Sequence, residues 1–400
     1  MTRPYYLTWN RQAEAGTLPV ESAECDEFIL SDGRRIYDFL STSFQTNFGH
    51  DHSGIKDKIH RQLDSMPIAS PKAEFELKES VSNRLLSLLG KQDGRLFYTV
   101  SGAEAVENAL KITRQIKGTK KILARQKSYH GASLGALSVT GDWRNLPHYT
   151  CDQATVRIPE PHEDRDLKKT RRAVERLGAD RVAGVILETI TGANGVIIPD
   201  EGWYKGIQEM CRQYDMFLIL DEVLCGFGRT GKPFAFQHYE QLQPDMICMS
   251  KAITGGYIPF GAMWTSPSIA DHYQDKVLSC GLTNYGHPLG LAALDGVLDL
   301  FDSSAFLDNV RELETIFQQQ LVKLKQSRPN VKEVRIKGLL AAIEFDSDSP
   351  TWEQGIQEGL HFYSKHNMNV LAPPLISTPQ RLTQALDEYL NLAASYQHWI

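Results

Sequence analysis

"MFLILD", residues 216–221, is an apolar run closed by an aspartate. So short a run without polar alternation is the pattern of a strand covered on both faces, as in a parallel sheet. Similar runs recur as "RLFYTV" (95–100), "KILAR" (121–125), "RVAGVILE" (181–188) and "DMICMS" (245–250). Between them lie amphipathic segments, "AEAVENALKITRQIK" (103–117), "DLKKTRRAVERLG" (166–178) and "WYKGIQEMCRQY" (203–214). Strands alternating with helices predict an α/β fold built on a mostly parallel sheet. Ligands bind such sheets beyond the carboxyl ends of the strands. Ser101, Glu188, Asp221 and Lys251 all fall there.

Outside this core, "ELKESVSNRLLSLLGK" (76–91) has helical periodicity and stops at a glycine. The first 45 or so residues mix short strand-like pieces, "EFIL" and "RRIYDFL", with polar turns. From about residue 290 long helices surround one short strand, "GLLAAIEF". The expected division is a large domain over 45–290 and a smaller α+β domain built from 1–44 and 291–400.

The composition narrows the function. Of 400 residues, 42% are hydrophobic and 23% charged, the balance of a globular protein with a large core. A net charge of −6 gives no electrostatic reason to expect nucleic acid or an anionic membrane. There is no apolar run of membrane-spanning length, and the start "MTRPYYLTWNRQAEAG" lacks a signal-peptide core, so a cytoplasmic protein is expected. The six cysteines (25, 151, 211, 225, 248, 280) form no C-x-x-C pair. They read as reduced thiols, and no metal site is expected.

Asp221 and Lys251 carry the chemistry. A lone carboxylate ending a buried strand is expensive unless paired, and a structural salt bridge is one reading of it. The other comes from Lys251, at the end of the next apolar run, in "SKAITGGYIPFGAM". A desolvated lysine loses its charge and becomes nucleophilic enough to form an imine with a carbonyl cofactor. Pyridoxal phosphate is such a cofactor, and it takes an aspartate to keep its pyridine nitrogen protonated. Its phosphate needs donors. "TVSGAEAVENALK" offers them where a strand breaks at Ser101-Gly102 and a helix begins at Ala103. In "KSYHGASLGALS", Tyr129 can cover one face of a planar ring, with His130 beside it; taken alone, a Tyr-His pair is more often core packing or a wetted surface than function. Val223 is placed to touch the other face.

With these residues assembled, the chain resembles the class III aminotransferases, the ω-aminotransferase group of fold-type I pyridoxal-phosphate enzymes. "SGAEAVENALK", "SYHG", "LILDEVLCGFGRTG", "PDMICMSKAITGGYIPFGA" and "GLTNYGHPLGLAALD" appear in family order across nearly the whole chain. The resemblance implies a seven-stranded, mostly parallel sheet in the large domain. It makes Lys251 the lysine that holds the cofactor and later moves the proton, and Asp221 the partner of the ring nitrogen. Gly102 and Ala103 become the phosphate turn, and Tyr129 the stacking aromatic. It puts Glu188 near the cofactor, although "ETITGANGV" departs from the usual wording there. It gives Thr283 a contact with the phosphate of a neighbouring subunit, which implies a homodimer with shared active sites.

The reaction implied is a ping-pong transfer of an amino group from an ω-amino acid or amine to a 2-oxo acid, pyruvate or 2-oxoglutarate. The wording after Glu188 is similar to a subset acting on taurine, β-alanine, 4-aminobutyrate and related compounds. That subset commonly carries an arginine about eight residues before "APPL"; here the nearest match is Lys365, a point charge rather than a two-pronged grip. Trp9 and Phe44 match pocket-lining positions of relatives, with core packing as the plainer reading of each. Aminomutases, racemases and phospho-lyases share Lys251 and Asp221 and stay open as alternatives. A Rossmann dehydrogenase is set aside, since "GFGRTG" follows Asp221 without the required helix pattern.

Overall fold

The structure, a computed structural model, describes residues 3–118 and 121–395, with the side chains of 149–153 and 395 outside the description. A seven-stranded sheet runs in the order Arg95–Thr99, Gly261–Thr265, Met246–Met249, Phe217–Asp221, Val182–Glu188, Lys121–Arg125, Thr155–Ile158. All pairs are parallel except the two made by Gly261–Thr265, which runs antiparallel to both neighbours. The strand Phe217–Asp221 explains why its sequence shows no alternation. Phe217 and Ile219 pack into one core cluster, Leu218 and Leu220 into another on the opposite face. The helix Gly102–Lys117 supplies Ala105, Val106, Ala109 and Ile112 to the first cluster; Glu201–Gln213 supplies Trp203, Tyr204, Ile207 and Met210 to the second. Each fully buried large apolar side chain contributes about 1.5–3 kcal/mol.

Two strands of this sheet escape a reading of apolar runs. Thr155–Ile158 is a short edge strand with an arginine in it. Gly261–Thr265 follows a stretch rich in glycine that reads as continuing turn, yet all five of its residues are buried.

The flanking segments form two further sheets. Val20–Glu24, Glu27–Leu30 and Arg35–Asp38 make an antiparallel meander, and Leu360–His361 joins it parallel to Arg35–Asp38. Val331–Lys337, Leu340–Phe345, Met368–Leu371 and Tyr363–Lys365 form an antiparallel sheet in that spatial order. The sequence announces one strand here, because Leu340–Phe345 alone is almost entirely buried; Val331–Lys337 is largely charged and half exposed.

Two devices tie these parts to the large sheet. Arg229, fully buried, donates to the carbonyls of Leu339 (2.9 Å) and Pro373 (2.6 Å), to Asn47 Oδ1 (2.6 Å) and to Ser41 Oγ (3.0 Å). It thus joins the "GFGRTG" loop to chain segments near both termini. Next to it, Ser41, Thr42, Ser43 and Phe44 all have positive φ (44°, 45°, 65° and 70°), a left-handed turn without glycine. Such backbone costs about 1–2 kcal/mol per residue. Buried Asp38 holds it, accepting from Thr42 N (2.7 Å), Thr42 Oγ1 (3.0 Å) and Leu40 N (3.1 Å). Burial pushes the Asp38 carboxyl up, but the rings of His361 and His50 beside it outweigh that and hold it well below the usual carboxylate range. The turn delivers Phe44 toward the carboxyl ends of the large sheet.

The cysteines with described side chains (25, 211, 225, 248 and 280) are free thiols; that of Cys151 lies outside the described residues. No described helix is long and apolar enough to cross a membrane.

Candidate active site

Glu188 and Asp221 end adjacent parallel strands and face each other in register. On the far side of Asp221 the strand Met246–Met249 runs into Ser250 and Lys251. Ser250 Oγ donates to the Phe260 carbonyl at 2.7 Å, fixing the exit of that strand. Lys251 then adopts φ 52° at the head of the short 3-10 turn Lys251–Thr254. A non-glycine residue in that region stores about 1–3 kcal/mol, and such strain gathers at functional sites. Lys251 Nζ lies 5.5 Å from the Phe44 ring centroid. Burial lowers the Lys251 pKa from the ordinary lysine value, while the charges of Asp221 and Glu188 pull it back up.

Each carboxylate is fixed from two sides. Asp221 Oδ2 lies 2.7 Å from His130 Nδ1, and Oδ1 accepts from Val223 N at 3.0 Å. Glu188 Oε1 accepts from Tyr129 N at 3.0 Å and Oε2 from Gly192 N at 3.3 Å. Burial raises the Glu188 pKa, opposed by the neighbouring His130 and Arg125. Tyr129 and His130 are therefore placed through a backbone bond to one carboxylate and a ring contact to the other. His130 Nε2 is buried without a hydrogen-bond partner.

The third component is the start of the helix Gly102–Lys117. Ser101 caps it, its hydroxyl accepting from Glu104 N at 3.2 Å, and the Glu104 carboxylate accepts from Val100 N at 2.9 Å. The Ser101 hydroxyl accepts in the cap and keeps its O–H to donate, and with it the first-turn N–H groups of Gly102 and Ala103 are the donors a helix start presents to an anion. A Cβ on Gly102 would come within 2.8 Å of the Val223 side chain, so only glycine brings this turn so close to the loop after Asp221. Gly131, at φ 136°, packs as tightly: its Cβ would stand 2.7 Å from that of Ala103.

These parts line one cavity of about 420 Å³, bounded by Gly102, Ala103, Tyr129, His130, Glu188, Asp221, Val223 and Lys251, and on another side by Trp9 and Phe44. Ser101, Thr283 and Lys365 are not among its lining residues. Thr283 is exposed, ahead of the helix Pro288–Phe301. Lys365 is half-buried on the strand Tyr363–Lys365, where Asp142 and Arg144 act on its charge. Arg144, Asn194 and Tyr363, which sequence reasoning passes over, do line the cavity. The one signal for Arg144 is its tryptophan neighbour in "GDWRN". A wider cleft of about 860 Å³ opens at the other end of the same strands, around Met216, Phe217 and Asp245. It lies at the amino ends of the strands, away from the Lys251–Asp221 pair.

Comparison with known proteins finds one family. The family described as aminotransferase class-III matches residues 9–391. An omega-aminotransferase of Caulobacter vibrioides is 32% identical over 411 residues, covering 92% of each chain. The structure of a taurine:2-oxoglutarate aminotransferase from Bifidobacterium kashiwanohense, in complex with PLP and glutamate, superposes with a TM-score of 0.92 at 30% identity, covering 98% of this chain and 95% of that one. The PMP-bound aminotransferase of Vibrio fluvialis gives 0.90 at 27% identity, with 98% and 97% covered.

Proposed function

Because the chain belongs to the class-III aminotransferases, we propose that Lys251 and Asp221 are the catalytic pair with which it moves an amino group from an ω-amino compound to a 2-oxo acid. The protein is a pyridoxal-phosphate-dependent aminotransferase. The observation that carries the residue assignment is the convergence of a half-buried lysine, a carboxylate fixed by His130 and Val223 N, and a helix start kept open by glycine. That donor set fits the cofactor: an anion site at one end, a carboxylate at another, an amine between the strand ends.

Bound pyridoxal phosphate supplies a carbonyl carbon that takes up an amine and a conjugated ring that accepts the electron pair of a broken C–H bond. The Gly102 and Ala103 N–H groups hold its phosphate, with the helix dipole behind them. Asp221, locked in orientation by His130, keeps a proton on the ring nitrogen. Tyr129 and Val223 confine the ring, and Glu188 orients Tyr129 through its backbone bond. Lys251 Nζ removes the proton from the amine-bearing carbon of the donor; in the second half of the cycle it delivers a proton to the corresponding carbon of the 2-oxo acid. Trp9 and Phe44 line the substrate end. Lys365 adds positive charge near Asp142 and Arg144. The enzyme acts as a cytoplasmic homodimer, with the exposed Thr283 reaching the phosphate site of the other copy, and its chain divides into 45–290 and 1–44 with 291–400.

The test is a single-turnover donor panel. Holoenzyme is mixed, without any 2-oxo acid, with taurine, β-alanine, 4-aminobutyrate, a diamine or an aromatic amine, and the cofactor's aldehyde absorbance is followed. At least one ω-amino donor should convert it to the amine form, and a 2-oxo acid should reverse the change. Conversion by none of them sinks the assignment.

The lowered Lys251 pKa has a measurable consequence. A depressed pKa means that the amine sheds its proton at a lower pH than a free lysine, and only the neutral form attacks a carbonyl. The rate at which cofactor-free protein takes up pyridoxal phosphate should therefore rise with pH and level off below about 10.4, the ordinary lysine value. A rate still climbing in proportion to hydroxide beyond that point contradicts a desolvated Lys251.

A further inference from the structure

We infer that Arg125 is a positioning residue of the active site: clamped between Glu160 and Glu188, it sets the loop that carries Tyr129 and His130. The inference rests on the reading of Tyr129 as the residue that confines the cofactor ring, and it adds what holds Tyr129 there.

Arg125 ends the strand Lys121–Arg125, which runs parallel to Val182–Glu188, and it is fully buried. The chain then turns through Gln126, Lys127 and Ser128 to reach Tyr129. Two buried carboxylates receive alternate amides of this turn. Lys127 N donates to Glu160 Oε1 at 2.6 Å, and Tyr129 N to Glu188 Oε1 at 3.0 Å. The Arg125 guanidinium stands between the same two residues. Its Nη2 donates to the Glu188 carbonyl at 2.8 Å, and its Nη1 lies 3.9 Å from Glu160 Oε2. Ser128 Oγ closes the turn by donating to the Arg125 carbonyl at 3.0 Å. One buried cation thus braces both anchors of the loop.

The need for a fixed charge comes from Glu188. Its carboxylate accepts from two amides, Tyr129 N on one oxygen and Gly192 N on the other. A protonated carboxyl turns one oxygen into a donor and so releases one of those amides. Burial drives Glu188 toward that form; His130 and Arg125 oppose it, and Asp221 favours it. Lys251 also senses Glu188, but it works by giving up its charge, whereas a guanidinium stays charged at every working pH. The remaining groups that face Glu188, the Cys225 thiol and the Tyr204 hydroxyl, are kept neutral by burial. Arg125 is not used up by Glu160: its Nε and Nη1 make no hydrogen bond, and neither does Glu160 Oε2. A buried ion pair so open is weak evidence for a stabilising role. Its place behind Glu188 suits an electrostatic one.

The test titrates cofactor-free protein with pyridoxamine phosphate, which forms no imine with Lys251, and follows its affinity by calorimetry across pH. On the acid side the affinity should fall by about three- to tenfold, the scale of one aromatic stacking contact, as Glu188 takes a proton and lets Tyr129 go. The double variant Arg125→Met, Glu160→Gln removes both charges and leaves neither unpaired. Its fall should begin about one pH unit higher or more, the scale of losing one nearby opposite charge. Arg125→Lys keeps the charge and should stay nearer the wild type than the double variant does. Glu160→Gln alone keeps an acceptor for Lys127 N and removes the competitor for Arg125, so its fall should begin lower than in the wild type. With Glu188→Gln added, none of these shifts should remain. An unmoved fall in the double variant, or a shift that survives Glu188→Gln, overturns the proposal. Should the double variant not fold, Glu160→Gln decides: a fall that is unmoved or begins higher overturns it. Wild-type affinity in Tyr129→Ala would instead refute the ring contact on which the inference rests.

Discussion

Lys251→Ala is expected to lower transamination turnover by at least about three orders of magnitude, the scale of losing a nucleophile and a general base together. The loss should be chemical rather than structural. Lys251 already occupies the left-handed region at φ 52°, so exchanging one non-glycine residue for another adds no backbone strain. The neighbours that set the local fold act through other atoms: Ser250 Oγ on the Phe260 carbonyl, and Ala252 and Ile253 in the core. Removing a half-buried amine also removes its desolvation penalty, which offsets the methylenes lost with it. The variant should therefore show the circular dichroism and thermal midpoint of the wild type, bind pyridoxal phosphate non-covalently through the helix start and Asp221, and fail to convert it with any donor. Turnover within tenfold of wild type would remove Lys251 from the mechanism.

Arg229→Met is expected to cost about 3–5 kcal/mol of stability, the penalty for breaking a buried hydrogen-bond network centred on a charge. The substitution takes the donor from the carbonyls of Leu339 and Pro373, from Asn47 Oδ1 and from Ser41 Oγ, although the Ser41 hydroxyl still donates to the Ala372 carbonyl. None of these has water to turn to, because Arg229, Ser41 and Asn47 are buried. Burial alone lowers the pKa of the Arg229 guanidinium, a sign of how much those bonds must offset. The loss should also reach the active site, since the turn that Arg229 bonds at Ser41 carries Phe44 to within 5.5 Å of Lys251. A large drop in thermal midpoint, accompanied by weaker substrate saturation, is the expected pair of results. A midpoint within a degree or two of wild type would show that the joint between the three sheets lies elsewhere.

These two residues mark how far the sequence can be read. Asp221 and Lys251 stand out because each ends an apolar strand where a charge is expensive, and Gly102 because it breaks a strand into a helix. Those are local signals, carried within a few residues. The His130–Asp221 contact is not local: it joins residues 91 apart, and nothing beside His130 distinguishes it from a core histidine. Arg144 sits in the 3-10 segment Trp143–Ala154, which has no apolar periodicity to mark it, and only the folded chain surrounds it with Trp9, Tyr129 and Trp143. The left-handed turn at 41–44 contains no glycine to announce it; bonds to nearby Asp38 and to distant Arg229 impose it. Strand signals fail for the same reason. Gly261–Thr265 is held between the preceding strand and Arg95–Thr99, which is distant in sequence, and Val331–Lys337 is largely charged.

The most direct test of the account is to reduce the wild-type holoenzyme with borohydride, digest it and map the mass added by the cofactor. The account predicts a single stable pyridoxyl group on the peptide that contains Lys251, absent from Lys251→Ala treated in the same way. A modification on any other lysine, or none on a protein that transaminates, would contradict it.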